Sequence, residues 1–89
     1  MPHVDSHPVI VHPTGDLDLD AVETMVEALS RATRVTDEIV IDLTDVTYLD
    51  SVGVNVLAHA VNRGASIVVD PSSDVMLVVQ SWGLLEPAF

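Results

Sequence analysis

Apolar positions along the chain fall into short β-branched runs separated by stretches of helical spacing. Val9, Ile10 and Val11 form the first run, and Pro13, Thr14, Gly15 and Asp16 close it as a turn. Residues 38–43 form the second. Val40, Ile41 and Leu43 make it too short for a helix and favour a strand covered on both faces. Residues 66–69 form the third, ended by Asp70 and Pro71. Between the first two runs, Leu19, Val22, Val26 and Leu29, with Met25 beside them, recur at helical spacing and predict a helix over 20–33. Either Asp18 or Asp20 serves as its cap, and Glu23 favours the positive end of its dipole.

Residues 51–62 read two ways. Val52, Val54 and Val56 alternate as in a strand, whereas Val54, Leu57 and Val61 share a helical face. Length favours the helix, and Gly64 is placed to be its left-handed C-terminal residue. A last helix starts at Ser72 or Ser73 and runs to about Trp82, with Pro71 before it and Asp74 in its first turn. Val75, Leu77, Val78 and Val79 supply its apolar surface, and Gly83 ends it. Trp82 is expected as a partly buried anchor, and Leu84, Leu85 and Phe89 as a tail packed back on the core.

The resulting order of strand and helix, three times over, predicts an α/β protein with parallel strands joined through helices. No sequence repeat or low-complexity linker divides it. Residues 1–8, with Pro2 and Pro8, are expected as a flexible or short-stranded start, and 9–89 as one domain.

Composition narrows the function. At 89 residues the core is marginal, and with aromatics at 3% it is built from Val, Leu, Ile and Ala. A net charge of −11 excludes nucleic acid and anionic membrane surfaces as partners. It leaves two readings: a basic protein partner, or acidity serving solubility alone. No apolar run approaches the roughly 20 residues that span a bilayer, and the start of the chain lacks the features of a signal peptide, so a cytoplasmic location is expected. There is no cysteine and no glycine-rich phosphate loop. His3, His7 and His12 do not have metal-ligand spacing, and Asp16, Asp18 and Asp20 lack the glycine and distal glutamate of a calcium loop. No cofactor, metal or catalytic arrangement is therefore expected.

The chemistry concentrates in residues 39–53. After the buried run, Asp45 and Thr47 supply turn chemistry. Asp50, Ser51 and Gly53 then bring a capping carboxylate, a hydroxyl and a position without a side chain together at the start of a helix. Ser51 is either the N-cap of that helix or a group held out for modification. Gly53 costs the helix about 0.5–1 kcal/mol relative to Ala. Its presence implies a partner's close approach or a backbone packing demand.

These residues carry a resemblance. The strand-and-turn segment ending in Gly15-Asp-Leu-Asp18, the run Asp42-Leu-Thr-Asp-Val-Thr-Tyr-Leu-Asp-Ser-Val-Gly53, the Gly64-Ala-Ser-Ile-Val-Val69 segment and the closing Val78-Val-Gln-Ser-Trp-Gly-Leu-Leu85 together resemble a STAS domain of the bacterial anti-sigma factor antagonist type. Only Pro2–Ser6 are available for that family's first strand. The resemblance implies a single small domain with a mostly parallel central sheet of about four strands and helices packed against it. It implies a protein-binding switch and not an enzyme. A partner anti-sigma factor, an ATP-dependent serine kinase, phosphorylates Ser51; the unphosphorylated form binds that partner and releases a sigma factor; a metal-dependent serine phosphatase resets the cycle. Asp18, Asp50, Ser51, Val52, Gly53 and Val54 are then the candidate partner-binding residues. Gly53 would keep the surface low, and core burial would claim at least one of Val52 and Val54. A second STAS role, a non-switching subunit bound to a transporter ATPase, leaves Ser51 unmodified.

The physics is compatible with the switch. Phosphorylation adds about −1.5 to −2 charges and three acceptor oxygens. Free N–H groups of a helix N-terminus partly stabilise the phosphate, while Asp50, and Asp18 if the first turn lies alongside, oppose it.

Overall fold

The computed structural model describes residues 8–84. Five short strands and three helices follow one another as β1 (Val9–Val11), β2 (Gly15–Leu17), α1 (Leu19–Thr33), β3 (Ile39–Asp42), β4 (Val46–Leu49), α2 (Ser51–Asn62), β5 (Ser66–Val68) and α3 (Asp74–Ser81). All strand pairs are parallel. β1, β3 and β5 form one sheet in that order, and β2 pairs with β4 in a second, smaller one. The parallel α/β class is as expected. The single sheet of about four strands is instead a three-stranded and a two-stranded sheet.

β2 and β4 are the two strands that the apolar pattern does not reveal. The turn expected at Pro13–Asp16 is shorter, since Gly15 already opens β2 with φ +76° and a register irregularity follows it. Of the two residues assigned turn chemistry, Asp45 lies in the turn before β4 as expected, while Thr47 is inside the strand. The physical reason is length. β2 buries only Leu17, and β4 buries only its ends, Val46 and Leu49, so neither has a period-two pattern to read.

With β2 and β4 in place, the chain repeats an arrangement. β1, a three-residue link, β2, Asp18 and α1 are matched by β3, a three-residue link, β4, Asp50 and α2. Corresponding strands pair side by side. The helices match in burial too: Val22 and Val54, then Met25 and Leu57, occupy equivalent buried positions. Leu17, Ile41, Leu43, Leu57, Val54 and Val79 are the largest fully buried side chains. With Val22, Met25 and Ala32 of α1 they belong to the core that joins the two sheets to all three helices.

Several helical positions differ from expectation. α1 seats on the strands through Val22, Met25 and Ala32, while Leu19 and Val26 of the predicted stripe are exposed. α3 buries Val75 and Val79, whereas Leu77 points to solvent. Trp82 is 56% exposed and is not the partly buried anchor expected of it. Leu84 packs on the core as anticipated. Leu85, Phe89, His3, His7 and the first-strand segment lie outside the described residues.

Candidate functional site

The site is built by the β2–β4 pair. Leu17 and Leu49 are register partners, and the Asp50 amide donates to the Leu17 carbonyl at 3.4 Å, carrying the ladder one step further. Asp18 and Asp50 therefore leave the strands side by side, and each turns its chain into a helix. The condition set on Asp18, that its turn lie alongside, is met. A second tie crosses the same pair: the Thr47 hydroxyl donates to Asp16 Oδ1 at 3.0 Å.

The two caps differ. Asp18 Oδ1 accepts from the Ala21 amide at 3.1 Å, which closes the first turn of α1. Asp50 Oδ1 accepts at 2.7 Å from Ser51, the very next residue. That shorter reach leaves the amides of Val52 and Gly53 without an acceptor among the described residues. Ser51 itself is not the N-cap. It is the first residue of α2, it is exposed, and its hydroxyl makes no hydrogen bond among the described residues.

Gly53 shows why α2 begins where it does. It is buried, and a Cβ there would lie 2.9 Å from Leu49 Cδ1, 3.4 Å from Leu17 Cβ and 3.5 Å from the Leu17 carbonyl oxygen. The glycine answers a backbone packing demand, not the clearance of a partner at the surface. By letting the first turn of α2 settle on both strands, it fixes the height of Ser51 above them. Val54 is 1% exposed and belongs to the core, so it offers no contact surface. Val52 is at the surface. Of the six candidate residues, Asp18, Asp50, Ser51 and Val52 are thus at least partly accessible, and Gly53 and Val54 support them from below.

The surroundings are acidic. Asp16 lies on β2, Asp18 and Asp50 cap the two helices, and Asp20 follows in the first turn of α1. All three arginines lie elsewhere: Arg31 and Arg34 at the end of α1, Arg63 at the end of α2. Twelve helical residues put Arg63 about 18 Å along α2 from Ser51. Asp16, Thr47 and the exposed Leu19 are members of this surface that the sequence reading did not select. The shared order Leu-Asp before each helix start, at 17–18 and 49–50, is the signal that pairs them.

Two other carboxylates have resolved environments, Asp42 at the C-terminal end of β3 and Asp70 two residues past β5. Asp42 is held below the usual carboxylate range by the amide and hydroxyl of Thr44, and Asp70 by those of Ser72. His12 Nε2 lies 2.8 Å from Asp45 Oδ2. Among the described residues, no group of three or more His, Cys, Asp or Glu side chains is placed to hold a metal ion. Likewise, no helix among them is long and apolar enough to cross a membrane.

No curated protein matches the chain. The family described as "Mlab, STAS domain" matches residues 3–84, which takes in both strand-strand-helix units, β5 and α3. The chain belongs to the STAS domain family.

Proposed function

We propose that this protein is an anti-sigma factor antagonist switched by phosphorylation of Ser51. In the unphosphorylated state the surface around Asp18, Asp50, Ser51 and Val52 docks on a kinase-type anti-sigma factor, which releases its sigma factor. That partner transfers phosphate from ATP to the Ser51 hydroxyl, and docking ends. A metal-dependent serine phosphatase restores the hydroxyl. The protein acts in the cytoplasm through protein contacts, performs no catalysis and touches neither nucleic acid nor membrane.

The observation that carries this reading is the relief of Ser51 from capping. Asp50 does the capping, so the Ser51 hydroxyl is exposed and uncommitted at the start of a helix. The amides of Val52 and Gly53 supply donors for a phosphate there. Asp18 and Asp50 oppose the same phosphate, so modification places bulk and a strongly hydrated charge in the contact, and the cost of desolvating it there ends docking.

Binding of the purified kinase-type anti-sigma factors of the source genome, measured by calorimetry, tests this. Ser51→Ala binds like the native protein and is not phosphorylated by ATP and partner. Ser51→Asp binds at least about tenfold more weakly, because a bulkier, charged side chain has to be desolvated in the contact. Equal binding by all three forms, with no phosphorylation of the native protein, would falsify the assignment.

One observation favours a second reading, a non-switching STAS subunit that binds and stabilises a transporter ATPase. No arginine stands near Ser51 to pair with a phosphate. A tight complex with such an ATPase, indifferent to Ser51→Asp, would establish that reading instead.

A further inference from the structure

We propose that the cleft between the C-terminal halves of α1 and α2 binds a small organic carboxylate with an apolar body, its anionic group held by Arg63. The cleft has a volume of about 390 Å³, at the small end of ligand pockets. Leu29, Ile39, Val56 and Ala60 give it an apolar floor, and Arg63, His59, Thr36 and Asp37 stand around it.

Arg63 is free to serve a ligand. An arginine at a helix end commonly satisfies the last carbonyls, but here backbone amides already do so. The Arg63 amide donates to the His59 and Ala60 carbonyls, Gly64 to Val61 at 2.9 Å, and Ala65 to Ala60 at 3.0 Å. Among the described residues no carboxylate forms an ion pair with Arg63, although the chain carries 14 acidic residues against three basic ones. The Thr36 hydroxyl accepts from the Glu38 amide at 3.0 Å and keeps its own proton for donation. Asp37 on the rim selects the ligand class. Its negative charge disfavours phosphates and other multiply charged anions, and leaves a singly charged carboxylate as the group that Arg63 can hold in bidentate fashion. The floor then takes an aliphatic or small aromatic body.

The site lies about 18 Å along α2 from Ser51 and does not depend on the switch. Titration of the ¹⁵N-labelled full chain with hexanoate, hexanamide and hexylamine tests it. Hexanoate is expected to shift the amide resonances of Ile39, Ala60 and Ala65 saturably, with a Kd on the order of millimolar for so small a probe. Hexanamide and hexylamine are expected not to saturate. Arg63→Gln should weaken hexanoate at least tenfold with an unchanged melting temperature. Ala60→Met, which fills the floor with Arg63 intact, should also abolish binding. Absence of a saturable shift, equal binding by hexanamide, or undiminished binding by Arg63→Gln would each overturn the proposal.

Discussion

The two strand-strand-helix units of this chain share a backbone plan and part company at its most exposed point. In the first, Leu17 and Asp18 lead into Leu19; in the second, Leu49 and Asp50 lead into Ser51. The buried positions that follow, Val22 and Met25 against Val54 and Leu57, are chemically alike. Ala21 stands where the second unit has Gly53. The first cap closes the helix end upon its third residue, and the second stops at its first. Each start leaves two amides without an acceptor among the described residues, Leu19 and Asp20 in the first unit and Val52 and Gly53 in the second, and only the second adds an exposed, uncommitted hydroxyl beside them. Equivalence lies in the core and difference at the surface, as expected when packing fixes the plan and binding is added to it.

The strongest way to break this comparison is through the core. Met25→Ala and Leu57→Ala should each lower stability by about 3 kcal/mol, measured by urea denaturation. A loss confined to one of them would show that the helices are not equivalent supports. Next is the exchange at the glycine. Gly53→Leu should cost about 2 kcal/mol or more, because the added atoms meet Leu49 and Leu17 and push α2 from the strands. Ala21→Gly in the first unit should cost about 1 kcal/mol for a different reason, the loss of helix propensity. If Gly53→Leu stabilised the protein, propensity alone would rule both sites. The caps come third: Asp18→Ala should cost about 1 kcal/mol and Asp50→Ala less, since only the nearest amide depends on it. Ser51→Ala should fall within about 0.5 kcal/mol, as fits an exposed hydroxyl without a capping role.

The smallest effect concerns acid, and lies away from both helix starts. Asp42 and Asp70 have folded-state pKa values below 3.8 because Thr44 and Ser72 donate to their ionised forms. Their contribution is present above the unfolded pKa and is lost as pH falls through the folded value. Melting temperature should therefore fall more gently below about pH 4 in the Asp42→Ala and Asp70→Ala variants than in the native protein. Parallel acid profiles would remove the two turns from the stability balance.

The comparison also explains what could be read from the chain. β1, β3 and β5 were legible because each is a run of apolar, largely β-branched residues bounded by turn signals. The span 51–62 proved a helix despite its valines, because Val54 and Leu57 face the core one turn apart while Asp50 and Gly64 close its ends. β2 and β4 were hidden because strands this short, with polar Asp16 and Thr47 facing solvent, have no periodicity. The site suffered from the same gap. Ser51, Asp50 and Asp18 were found, but the roles of Ser51 and Gly53 were open until the β2–β4 pair existed. Only then is Asp50 the cap, and only then does Gly53 have Leu17 and Leu49 beneath it. Side-chain accessibility, as at Val54 and Trp82, follows from tertiary packing that no local pattern contains.

The most direct measurement is phosphosite mapping by mass spectrometry on the protein from its native cells, growing and stressed. A phosphate on Ser51 whose occupancy changes between the two conditions is the predicted result. Ser51 unmodified throughout, with a transporter ATPase co-purifying in both, would contradict the switch and assign the exposed helix start of the second unit to a permanent subunit contact.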